Sequence, residues 1–81
     1  MEMRTLQFKT VGPAIAQARL DAGIPLHELA TGLGVSSSFV SQVESGHKQM
    51  TVAMLRNLPR PLRRRVRETM IKEIESELRD E

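Results

Sequence analysis

An all-α fold of five helices is what this sequence predicts, on three observations. Apolar residues recur at three- and four-residue spacing in successive segments, the pattern of helices that bury one face. Gly or Pro punctuates the intervals, at Gly23, Pro25, Gly34, Gly46, Pro59 and Pro61, where helices characteristically stop or start. The stretch from Leu26 to Gly46, LHELATGLGVSSSFVSQVESG, carries both features at once, and the rest of the chain is organised around it.

Residues 1–10 show only a weak alternation at Leu6 and Phe8. They read as an arm or short strand, or as a loose terminus whose Leu6 or Phe8 plugs the edge of the core. The first helix is expected over residues 11–22. Pro13 is acceptable in a first turn, where its missing N–H had no partner anyway. Val11, Ile15, Ala18 and Ala22 fall on one face, and Gly23 ends the helix. A second helix over residues 26–33 sets Leu26, Leu29, Ala30 and Leu33 at helical spacing. Gly34 then suits a position of positive φ, where a side chain would cost energy. Ser36 can cap a third helix over residues 37–45 by accepting a bond from a free amide.

On a wheel of that third helix, Ser36, Val40, Val43 and Glu44 gather on one side. Ser38, Ser41, Gln42 and Ser45 gather on the other, with Ser37 and Phe39 on the flanks. Serine has indifferent helix propensity, so several on one short helix mark a face kept for contact or for solubility. A fourth helix is expected over residues 51–58, capped by Thr51. Val52, Leu55 and Leu58 face inward, and Met50 and Met54 lie nearer the other side. After Pro59 and Pro61 a fifth helix runs over residues 62–79, with Leu62, Val66, Met70, Ile74 and Leu78 at every fourth position and Ile71 widening the stripe. That stripe outruns what a small domain needs, and an exposed one is a liability. It either docks on a second copy or folds back on its own core.

Composition narrows the partners. The chain has 81 residues, no cysteine, two phenylalanines and no other aromatic residue, and a net charge of +2. A single small core gains from burial against a second copy. Without cysteine there is no disulfide or thiolate metal site, which agrees with a cytoplasmic setting. No apolar run approaches the ~20 residues that span a bilayer, and the start of the chain lacks a signal-type apolar region. Scarce aromatics argue against base-stacking platforms for single strands. The charge is unevenly placed: Arg60, Arg63, Arg64, Arg65 and Arg67 open the fifth helix, and Glu68, Glu73, Glu75, Glu77, Asp80 and Glu81 follow. This runs against the helix dipole, so the arginines are expected to meet a partner's acids or DNA phosphate.

Two helices around a short Gly-containing turn form the outline of a helix-turn-helix. The detail is more specific. Arg19, Ala22-Gly23, Glu28-Leu29-Ala30, Leu33-Gly34-Val35-Ser36, Val40-Ser41, Val43-Glu44 and Gly46 stand in the order and spacing of the Cro/repressor-type helix-turn-helix family, the xenobiotic-response-element (XRE) or λ-repressor-like domains. The segment 15–58 resembles that family without gaps. The whole chain is similar in size and layout to the small controller proteins of restriction–modification systems, and compact repressors of phages and mobile elements look alike.

The resemblance implies a five-helix λ-repressor-like fold with a helix-turn-helix DNA-binding domain over residues 11–58, preceded by the arm 1–10. The C-terminal helix, 59–81, would serve dimerisation. Helix 3 would enter the major groove, where each base pair shows a distinct donor and acceptor pattern. The base-reading places of the family hold Ser37, Ser38 and Gln42 here, with Ser41 a lesser candidate. Gln42 suits a bidentate contact with adenine, worth roughly 1–3 kcal/mol of discrimination. Short serines discriminate weakly, so DNA shape, bridging water or Phe39 must contribute. Phe39 departs from the polar residue common at its position, and either touches a thymine methyl or packs on helix 2. The DNA backbone would be met by His27, Ser36, Phe39, His47, Lys48 and Gln49 and by helix N-termini. Leu26 stands where the family often has a phosphate-holding Gln, so that contact is lost or taken over by His27.

Arg19 and Glu44 match the family's structural ion pair, which locks helix 3 to helix 1. The implied dimer interface is Met50, Met54, Val66, Met70, Ile74 and Leu78. No metal, cofactor or small-molecule ligand is expected, since His27 and His47 lack an evident third ligand. No nucleophile–base pair suggests an enzyme. The expected function is a homodimeric transcription regulator on an inverted-repeat operator in double-stranded DNA, bacterial or phage-encoded and autoregulatory, controlled by its own concentration. The competing expectation is an antitoxin or adaptor whose last helix binds another protein.

Overall fold

The computed structural model describes residues 8–79. The chain forms α1 (Val11–Asp21), α2 (Leu26–Leu33), α3 (Ser37–Glu44), α4 (Val52–Arg56) and α5 (Arg60–Arg79), with no strand among the described residues. Leu6, Asp80 and Glu81 lie outside that span. No helix of the described residues is long and apolar enough to cross a membrane.

α1 buries Val11, Ile15 and Ala18. Ala22, expected on the same face, is exposed. The reason is that the helix stops at Asp21 and the chain folds over its own end: Ile24 bonds the Arg19 carbonyl at 3.0 Å and packs against the core in place of Ala22. α2 closes by the same device. Gly34 adopts φ 72° and the amide of Val35 reaches the Ala30 carbonyl at 3.0 Å, a turn that satisfies carbonyls left open at a helix end. The hydroxyl of Ser36 then accepts the Phe39 amide at 3.0 Å and starts α3. Sequence and backbone agree closely at this corner because each residue there answers a local backbone need.

α1 and α3 touch at their backbones. A Cβ on Gly12 would lie 2.1 Å from the Val43 carbonyl oxygen, so only glycine permits this approach. Ile15, Val40 and Leu62 are the largest fully buried side chains, one each from α1, α3 and α5, and they mark where the three helices meet. α5 lies antiparallel along α1. Near one end of α1 its Arg65 donates to Asp21 at 3.0 Å, and near the other Glu73 accepts the amides of Lys9 and Thr10 and the Thr10 hydroxyl.

The C-terminal half departs from the sequence expectation in three places. α4 is shorter than expected, ending at Arg56, although Thr51 caps it through the Met54 amide at 3.2 Å and Leu58 is still buried. Val52, expected inside, is 70 % exposed, because one and a half turns of helix can present only one face to the core and Leu55 occupies it. α5 begins two residues early, since the Pro59 carbonyl accepts the amides of Leu62 and Arg63 and Pro61 sits harmlessly in the first turn.

The apolar stripe of α5 also divides. Leu62 and Val66 are buried in the chain's own core, with Met70 packed against it. Val66 is therefore not available as a dimer-facing residue: at 3 % exposure its side chain is used within the chain. Met50 packs partly against the core too, and Met54 is half-buried. Ile71, Ile74 and Leu78 remain exposed.

Candidate nucleic-acid interface

α3 is held from behind and open in front. Val40 and Val43 anchor it in the core. At its C-terminal end Glu44 takes two bonds from Arg19, Nε to Oε2 at 2.7 Å and Nη2 to Oε1 at 3.2 Å. Arg19 also donates through Nη1 to the Ile24 carbonyl at 2.9 Å, so one guanidinium ties together α1, the turn before α2, and α3. The pair is nearly enclosed, with side-chain exposures of 13 % and 11 %. The hydrogen bond to Glu44 raises the Arg19 pKa above its ordinary value against the opposing effect of burial, so the guanidinium is charged at every physiological pH.

The opposite face of α3 carries Ser38, Ser41 and Gln42, all exposed, with Ser37 half-exposed beside them. None of these side chains is engaged with another part of the described chain. Gln42 contributes only its backbone carbonyl, which accepts from His47 and Lys48 at 2.8 and 3.2 Å. Its carboxamide projects free, with one acceptor and two donor hydrogens. The Ser36 hydroxyl already accepts one bond in the helix cap, and its own proton remains to donate.

The residues expected along a DNA backbone lie on α2, on and just before α3, and on the loop after it. The loop after α3 exposes His47, Lys48 and Gln49. His47 Nδ1 lies 2.8 Å from the Ser45 hydroxyl, and Lys48 sits over the Phe39 ring at 5.8 Å from its centroid. Phe39 is half-buried against the core, so its ring serves packing and positions a cation. Pro25 gives α2 no side-chain cap. The first amides of α2, those of Leu26 and His27, therefore stay open beside the exposed His27, an arrangement that attracts anions.

Two residues that position this site escaped the sequence reading. Gly12 sets how closely α1 and α3 approach, and a glycine inside a first helical turn was the available signal. Glu73 fastens the start of α1 to α5. Burial would raise its pKa, but bonds from the Thr10 hydroxyl and amide and the Lys9 amide outweigh this and hold it below the ordinary carboxylate range. Its partners lie more than sixty residues away, beyond any local pattern. Asp21 is similarly lowered, by hydrogen bonds from Gln17 and Arg65.

Comparison with known proteins agrees with this geometry. Residues 15–69 match the helix-turn-helix family. No curated protein sequence matches the chain. Among solved structures, the chain is similar to the clp gene regulator ClgR from Corynebacterium glutamicum. In one structure of it the TM-score is 0.70 at 28 % identity, over 91 % of this chain and 79 % of that one. In a second, it is 0.68 at 29 % identity, over 90 % and 95 %. A point mutant of the restriction–modification controller protein C.Esp1396I superposes with a TM-score of 0.66 at 25 % identity, over 89 % of this chain and 95 % of that one. The match spans both helices of the motif, the corner between them and the helix that braces them; the chain belongs to the XRE-type helix-turn-helix family of DNA-binding transcription regulators.

Proposed function

We propose that the chain acts as a homodimer that recognises an inverted-repeat operator by placing α3 in the major groove. The observation that carries this reading is the two-sidedness of α3. Its inner side is pinned by Val40, Val43 and the Arg19–Glu44 pair, while Ser38, Ser41 and the unengaged Gln42 project outward. A reading head needs that combination, because base edges are distinguished only by side chains whose backbone does not move.

In this reading Gln42 makes the principal base contact, and Ser37, Ser38 and Ser41 supply shorter ones. His27, Ser36, Phe39 with Lys48 above it, His47 and Gln49 hold the flanking backbone. Two copies of α3 would lie about 34 Å apart on one face of the duplex. The solved structures it resembles include a controller protein of restriction–modification, which supports a compact autoregulatory switch of bacterial or phage origin working in the cytoplasm. The reading divides the chain into the arm 1–10, the DNA-binding unit 11–58 and the dimerisation helix 59–81. A competing reading, an adaptor or antitoxin, draws support from one observation: α5 runs ten residues past the family match, and there carries exposed Ile71, Ile74 and Leu78.

The test is a DNA-binding titration against the region upstream of its own coding sequence, with random DNA as competitor. Wild type should prefer the operator, and Gln42→Ala should lose about 1–3 kcal/mol of that preference with little change in nonspecific affinity. Equal affinity for both DNAs in wild type would refute the operator reading. Sedimentation as a monomer at micromolar concentration would move the assignment to the adaptor.

A further inference from the structure

α5 presents two surfaces that share residues. At its start, Arg60, Arg63, Arg64 and Arg67 line one open concavity. Spacings of three and four place them close enough to repel, and they stand at the positive end of the dipole. Little among the described residues offsets them. Arg64 lies 3.7 Å from Glu68 with both side chains more than half exposed, and Arg63 donates to the Arg56 carbonyl. Among the described residues, Arg60 and Arg67 meet no carboxylate. Contiguous with this patch, and sharing Arg63 and Arg67, is an apolar groove of about 340 Å³ between α4 and α5. Val52, Leu55, Met70, Ile71 and Ile74 form its walls. Among the described residues, four of the five large exposed hydrophobic ones, Val52, Ile71, Ile74 and Leu78, belong to these two helices.

We propose that a second copy of this chain covers the groove with its own α5 running antiparallel, so that Arg67 of each protomer meets Glu75 of the partner subunit. This rests on the homodimer reading above and adds the orientation and register of the seam. Three observations carry it. The helix is basic at its start and acidic towards its end, so antiparallel pairing sets arginines against acids and aligns the two dipoles favourably. Parallel pairing would set arginine against arginine. Arg67, Ile71 and Glu75 lie four residues apart along one ridge, and a two-fold axis at Ile71 carries Arg67 onto Glu75, as a self-complementary dimer requires. Finally, the arginines rim an apolar groove. Phosphate backbone has no use for that lining, whereas a second amphipathic helix does.

The test is sedimentation equilibrium of the full chain, with circular dichroism to verify helix content. Wild type, Arg67→Glu, Glu75→Arg and the double reversal are compared. Each single reversal should weaken the dimer about tenfold or more by facing like charges, and the double reversal should restore it to within about threefold of wild type. Wild-type dimerisation should also weaken with added salt. If wild type dimerises but the reversals leave its dissociation constant unchanged, or the double reversal is weaker than either single, the antiparallel register is wrong and the homodimer stands. If Arg67→Glu lowers DNA affinity with dimerisation intact, the cluster serves phosphate and the proposal fails. A monomeric wild type overturns this and the homodimer reading together.

Discussion

Replacing Glu44 with alanine tests how α3 is held. The substitution leaves Arg19 charged, with Nε and Nη2 deprived of bonds at 2.7 and 3.2 Å and only the Ile24 carbonyl remaining. Breaking a fully buried pair by removing one partner costs about 3–5 kcal/mol. With side-chain exposures of 13 % and 11 %, some water reaches the stranded guanidinium, which lowers the expected cost to about 2–3 kcal/mol. Native stability for a chain this size is about 4–12 kcal/mol, so roughly a sixth to three quarters of it is at stake. Urea unfolding followed by circular dichroism should show that loss, with a fall of roughly 10–20 °C in melting temperature. The double variant Arg19→Met with Glu44→Leu should recover much of it, because neither charge is then stranded. A cost below about 0.5 kcal/mol for Glu44→Ala would match an exposed surface pair, and would refute the claim that this contact fixes α3.

Gly12→Ala should cost about 2–3 kcal/mol in urea, since the added carbon meets the Val43 carbonyl and backbone cannot yield as a side chain does; a loss under 0.5 kcal/mol would mean the helices separate freely. Ser36→Ala removes the acceptor for the Phe39 amide and should cost about 1 kcal/mol, with DNA affinity falling as the start of α3 frays. Glu73 has its pKa held below the ordinary range in the fold. Its contribution to stability is therefore present above the unfolded value near 4.3 and lost as pH falls through the lowered folded value. Glu73→Gln should accordingly be less stable than wild type at pH 7, and the gap should narrow as pH falls below the unfolded value and through the lowered folded one; a gap independent of pH would show that charge plays no part.

The helix-turn-helix was legible because its signals are local. Gly34 answers a positive φ, Ser36 a free amide, and Val40 and Val43 the helical period, each within five residues of the feature it explains. Arg19 and Glu44 stand twenty-five residues apart and came from the resemblance, since no periodicity links them. The fifth helix was legible as a helix, yet its stripe could not be divided by pattern alone. Leu62 and Val66 have the same spacing as Ile74 and Leu78, and only the length of α1 beneath them decides which are covered.

The sequence by itself determined five helices, the corner and the polar outer face of α3, because turn chemistry and amphipathic period act over a few residues. It also determined the reversed charge of α5, which is a matter of order along the chain. The tertiary structure alone decided that Val66 belongs to the core and Val52 does not, that Glu73 fastens α1, and that Gly12 lets α1 and α3 touch. These depend on where one helix ends against another, and that distance is set by packing among residues far apart in the chain.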